Sequence, residues 1–173
     1  MTLVVTLVAC GGATTPSPVA STPESTGPKA TPGPKGSPWP SSVLEGVLAL
    51  GAADPELWKA GADIARAADA EDVKAMWGAA DGTVKLIEGL MPNVGSLEAY
   101  PHTQPLGAAY RASFPVMLEG ATQLRDSITA GDARGVVAGS QRLAEGISLY
   151  ANVRSMLEAF VNQALTMKKT LVQ

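Results

Sequence analysis

Reactive side chains are few in this sequence. There is one thiol, Cys10, and one imidazole, His102. A single cysteine forms no disulfide within its own chain and supplies neither a thiolate cluster nor a Cys-x-x-Cys redox pair. Metal sites need several His, Cys or acidic ligands converging on one point, and neither His-Glu-x-x-His nor a haem-attachment motif occurs. His102 lies in Tyr100-Pro101-His102-Thr103-Gln104-Pro105, which reads as a loop. If that loop lines a site, Tyr100, His102 and Tyr110 are the residues able to donate and accept there; a lone loop histidine is more often solvent-facing or a cap. A phosphate-binding Gly-Lys-Ser/Thr loop, a dinucleotide fingerprint and a Gly-x-Ser-x-Gly elbow are all missing from the sequence. The carboxylates mostly neighbour Lys or Arg, and no Glu-x-x-His offers di-iron ligands. We therefore expect no cofactor, no metal and no catalytic residue, with an envelope enzyme or metal-handling protein built on the His102 loop as the alternative.

Cys10 has a more telling context. It ends the apolar run Leu3-Val4-Val5-Thr6-Leu7-Val8-Ala9, which falls short of the roughly 20 residues needed to span a bilayer but suits the apolar part of a secretory signal. The tetrapeptide Leu7-Val8-Ala9-Cys10 resembles the lipobox of bacterial lipoproteins. The resemblance covers the leader only. It implies that the Cys10 thiol receives a diacylglycerol and that a peptidase accommodating the small Ala9 cuts before it, leaving Cys10 as the first mature residue. Residues 1–9 are then a signal peptide, the membrane is a partner through the lipid on Cys10, and the address is the extracytoplasmic face of a bacterial envelope membrane. One departure from the pattern is that no Lys or Arg precedes Cys10, so we expect the true start to lie upstream.

The elements that would carry these groups divide sharply by composition. Residues 13–42 are almost all Thr, Pro, Ser, Gly and Ala, with eight prolines from Pro16 to Pro40. Proline removes backbone donors, and few large apolar side chains are present to offset the entropy of ordering. Residues 10–41 are therefore expected to form a disordered, semi-extended tether, with Trp39 packing onto the domain where the tether ends.

Residues 42–173 carry helical periodicity. Val43, Leu44, Val47 and Leu48 share a face of a short first helix. Asp54-Pro55 pairs a good N-cap with a proline suited to a first turn, and Leu57, Gly61, Ile64 and Ala68 follow at spacings of three and four. Residues 55–91 form one helix or two, with Asp69 as a candidate second cap and Met91-Pro92-Asn93 as the stop. Residues 92–105 read as a loop. A third helix runs from Leu106 to Thr129 with Pro115 inside it. Gly131 and Asp132 form a stop and a restart. Val136, Ser140, Leu143, Ile147, Tyr150, Leu157, Val161, Ala164 and Leu171 then recur on a seven-residue repeat, again as one helix or two. Gly78 and Gly82, like Gly135 and Gly139, are four apart, which suggests close helix approach. Trp58 and Trp77 are expected in a core or a helix seam, with the lining of an apolar pocket as the alternative. No comparable strand pattern exists, so the fold class is all-α: an elongated antiparallel bundle of about four helices behind the tether.

Charge limits the function. The net charge is −3 and the pI about 5.1, unlike a nucleic-acid binder with its basic patch. Asp54 to Glu98 holds nine acids and four bases, −5, whereas Arg111 to Gln173 holds seven bases and five acids, +2. The two halves should attract across their polar faces. The expected function is non-enzymatic: a membrane-anchored lipoprotein presenting its bundle to an envelope protein or a small ligand.

Overall fold

The computed structural model describes residues 39–171; the expected signal peptide, Cys10 and the expected tether as far as residue 38 lie outside the described residues. Four helices follow one another: α1 (Ser41–Asp69), α2 (Val73–Glu98), α3 (Gln104–Ala130) and α4 (Ala133–Leu171). Each packs on its neighbours in sequence, and α1 also meets α4, which closes the ring of four; α3 and α4 share the most extensive interface and α1 and α4 the thinnest. Among the described residues there is no strand, and no helix is long and apolar enough to cross a membrane. The fold is the expected all-α bundle.

Two prolines do not act as the boundaries expected of them: Pro55 and Pro92 lie inside helices, as Pro115 does in keeping with its expected place. Each forfeits one backbone hydrogen bond, yet each is flanked by side chains whose burial needs the helix to continue. Leu50 and Leu57 bracket Pro55, Val94 and Leu97 follow Pro92, and Phe114 and Met117 straddle Pro115, all with no exposed surface. The short first helix and its successor are therefore one element, and Asp54 is not its cap. The expected loop 92–105 shrinks to Ala99–Thr103, where the Thr103 hydroxyl donates to the Leu97 carbonyl at 2.9 Å. Nor does Asp69 cap a helix. It is the last residue of α1, and Asp72 caps α2 instead, accepting from the Ala75 amide at 2.9 Å. The restart at Gly131 and Asp132 is as read: Gly131 takes the left-handed φ of 69° that glycine tolerates best, and the Asp132 carboxylate accepts from the Arg134 amide at 3.1 Å.

The long α4 is one helix of 39 residues, about 58 Å at 1.5 Å per residue. Its buried seam is Leu143, Gly146, Tyr150, Val153, Leu157, Phe160 and Ala164, spaced alternately three and four. Leu143, Tyr150, Leu157 and Ala164 are the expected repeat. Gly146 and Phe160 lie one residue before the expected Ile147 and Val161, which are only partly buried, and Val153 is additional. Glycine explains the displacement at Gly146. A Cβ on Gly139 would stand 2.5 Å from the Leu124 nitrogen, one on Gly146 2.6 Å from the Met117 nitrogen, and one on Gly120 2.7 Å from the Leu143 Cα. Bare glycines thus let the α3 and α4 backbones touch. Gly135 belongs to this interface, meeting Ser127. By contrast, Gly78 and Gly82 face open space: a Cβ at either position would have nothing within 4 Å, so close approach does not account for them.

The charge asymmetry resolves into ion pairs between the halves. Asp54 meets Arg154, Asp81 meets Arg125 and Glu98 meets Arg111. In all three the acid comes from the first half and the arginine from the second. Arg111 and Arg154 are half exposed while their acids and the Asp81–Arg125 pair are partly buried, and together the pairs favour one arrangement of the helices.

Candidate functional site

His102 and Tyr110 are carried to different places. His102 packs in the α2–α3 loop against Trp39 and Phe160, with ring centroids 5.8 Å away in each case. Trp39 and Phe160 are themselves 6.0 Å apart, so the three rings close a triangle at one end of the bundle. Trp39 is 6% exposed; it packs onto the domain as expected. The His102 Nε2 is buried with no hydrogen-bond partner. Tyr110 lies two turns into α3, in the bundle interior, with Phe114 at 4.9 Å and Tyr150 at 6.0 Å. Tyr100 is partly buried in the loop, and its carbonyl accepts from the Thr103 and Gln104 amides. None of the three lines the groove described next. Among the described residues no group of three His, Cys, Asp or Glu side chains could hold a metal ion, so the geometry around His102 offers no ligand set. Cys10 lies outside the described residues.

A different set of polar residues converges where α1 meets α4. Asp54 and Trp58 are one turn apart on α1; Tyr150 and Arg154 are one turn apart on α4. Residues at i and i+4 share a helix face, so each helix presents two of these groups to the other. The Tyr150 hydroxyl donates to Asp54 Oδ1 at 2.7 Å, and Arg154 Nε donates to Asp54 Oδ2 at 3.0 Å. The Arg154 guanidinium lies over the Trp58 ring, 5.2 Å from its centroid, a favourable cation–π arrangement. Behind them the Tyr110 hydroxyl is buried without a partner of proper hydrogen-bond geometry, although it is near enough to Tyr150 and Asp54 for both to act on its titration. A polar line thus runs from the core to the surface: Tyr110, Tyr150, Asp54, Arg154.

The surface end of this line opens into a groove of about 550 Å³, within the size range of small-molecule sites. Gly51, Ala151, Leu157 and Val161 give it apolar surface; Asp54, Arg154, Ser155, Glu158 and Asn162 give it polar groups. Among the described residues only Nε of Arg154 bonds to protein, and Glu158 has no ion pair. The arrangement can bind a small polar molecule. Its one hydroxyl among the described residues, on Ser155, donates to the Asn152 carbonyl at 3.2 Å.

Sequence reasoning misses this quartet. By local pattern Asp54 reads as a cap, Tyr150 as seam, Trp58 as core or seam, and Arg154 as one more surface charge. Trp58 is 44% exposed and Trp77 39%, so neither fills a core; Trp77 instead donates from Nε1 to the Thr129 hydroxyl at 3.2 Å. The usable signal is the i,i+4 spacing of an acid and a tryptophan on one helix and of a tyrosine and an arginine on another.

Burial, with the neighbouring Asp54 charge adding to it, holds the hydroxyls of Tyr110 and Tyr150 protonated well above the ordinary tyrosine range. In the unfolded chain both ionise near pH 10. Above that pH the unfolded state has lost protons that the folded state keeps, so stability is intact below about pH 10 and falls progressively as pH rises. Thermal melts from pH 8 to pH 11 should show this fall, and Tyr110→Phe should make it shallower. At pH 7 the same variant should be nearly neutral, because it removes a buried hydroxyl that has no partner. Asp54→Ala should cost about 2 kcal/mol, since it leaves the Tyr150 hydroxyl buried without its acceptor; equal melting of the two variants at pH 7 would contradict this assignment.

Comparison with known protein families, with curated proteins and with solved structures finds no match to this chain.

Proposed function

We propose that this protein is a lipid-anchored extracytoplasmic binding protein: Cys10 carries the lipid, the proline-rich segment is a spacer, and the four-helix bundle is the part that meets a protein partner or a small ligand. The observation that carries the anchor is the position of Cys10, directly after the apolar run ending in Ala9 and directly before a long stretch of Thr, Pro, Ser and Gly. Support for binding rather than catalysis comes from the groove between α1 and α4, which offers hydrogen-bonding groups beside apolar surface but no arranged nucleophile, base or metal ligand set among the described residues.

The lipid is what sets the address. One acyl chain gives only marginal membrane binding, and stable anchoring takes more; a diacylated cysteine meets that requirement. Cells fed a clickable palmitate analogue should label the wild-type protein and not the Cys10→Ala variant, which should leave the membrane fraction. Wild-type protein that takes up no label would remove the anchor from this reading.

A further inference from the structure

We propose that the groove between α1 and α4 binds a small zwitterion of the α-amino acid type, its carboxylate held by Arg154, its ammonium by Glu158 and an apolar side chain lying over Leu157 and Val161. This rests on the reading of the bundle as a binding domain and is independent of the anchor.

An arginine and a glutamate at i and i+4 of one helix are close enough to pair with each other. Here they do not. Arg154 is drawn across to α1 by Asp54, which takes Nε at 3.0 Å, and by the Trp58 ring beneath it. Both terminal nitrogens of Arg154 are left without an acceptor among the described residues, and the side chain is half exposed. A guanidinium fixed from behind, with its outer pair of nitrogens free, is the geometry that takes a carboxylate. Because Asp54 and Trp58 fix the orientation beforehand, little further ordering is lost on binding.

Glu158 selects among carboxylates. It lines the same groove one turn further along α4 and has no ion pair of its own among the described residues. With Asp54 beside Arg154 and Glu158 further along, the lining carries two acids to one arginine. A phosphate or dicarboxylate would meet repulsion there. A molecule carrying one carboxylate and one ammonium satisfies both ends, and Ser155 and Asn162, also on the lining, can accept or donate further hydrogen bonds. The remaining surface is apolar, with Gly51, Leu157 and Val161, which favours an aliphatic body over a polar one. The volume of about 550 Å³ is open enough to hold such a molecule with its side chain.

The test is isothermal titration of the full chain in detergent with L-leucine, with its two half-molecules 3-methylbutylamine and 4-methylpentanoate, and with inorganic phosphate. Leucine should bind saturably and about tenfold or more tighter than any of the other three, a factor that corresponds to the loss of one charged contact. Arg154→Lys keeps the charge and loses the fork, and should weaken leucine binding by about tenfold. Glu158→Gln should weaken it comparably while leaving the helical circular dichroism and the melting temperature unchanged, since Glu158 bonds to no other described residue. Absence of leucine binding overturns the proposal. So does 4-methylpentanoate binding as tightly as leucine, which would mark a plain anion subsite, or affinity that ignores both substitutions. Palmitate labelling is read separately: label without leucine binding sinks this inference alone, and leucine binding without label sinks the anchor alone.

Discussion

Gly120→Ala should lower the stability of the bundle by about 3 kcal/mol, the upper part of the range for forcing extra volume into a packed interior. The added carbon would stand 2.7 Å from the Leu143 Cα and 2.8 Å from the Arg142 carbonyl carbon. Those are backbone atoms, which cannot rotate aside as a side-chain tip can, so α3 and α4 must part along their whole contact. The same substitution at Gly78 should act in the opposite direction. Nothing lies within 4 Å of the new carbon there, and alanine in a helix interior is favoured over glycine by about 1 kcal/mol. Urea unfolding of the two variants beside the parent checks both signs at once. Two losses of similar size would mean that general helix effects, and not the α3–α4 contact, set the cost.

Trp39→Ala is the second large effect. The ring is 6% exposed and packs on Phe160 and His102, and removing a buried aromatic of this size costs about 3 kcal/mol or more. The residue stands before the first helix, between two prolines, where composition alone suggests spacer. A truncation starting at Ser41 should therefore be as unstable as Trp39→Ala in the full chain, whereas one starting at Trp39 should match the parent. Chemical denaturation of these three proteins decides it; a Ser41 truncation as stable as the parent would show that the aromatic triangle contributes nothing.

Much of the bundle is legible in the sequence because it depends on hydrophobic periodicity. The all-α class, the number of helices and the restart at Gly131 and Asp132 follow from spacing and cap chemistry that act within a few residues. What fails depends on contacts distant in sequence. Whether Pro55 ends a helix is decided by Leu50 and Leu57, which need a continuous face to bury, and no local rule weighs that burial against one lost hydrogen bond. Part of the α4 seam is misplaced because hydropathy registers Ile147 but is blind to Gly146, whose contribution is the absence of a side chain. Asp54 resembles a cap because its use lies on α4, 96 residues away in Tyr150. Of the loop residues singled out, His102 finds Trp39 and Phe160 while Tyr110 finds Phe114 and Tyr150, and the groove belongs to neither group.

The aromatic triangle also has a mechanical consequence. Any pull reaching the bundle from residue 38 is delivered first to the Trp39 ring, which is wedged against both the α2–α3 loop and α4, and only afterwards to the backbone hydrogen bonds of α1. Load is thereby shared among three separate stretches of chain before a single helical turn is asked to open. Such a junction behaves as a strain relief, of the kind a cable needs where it enters its housing.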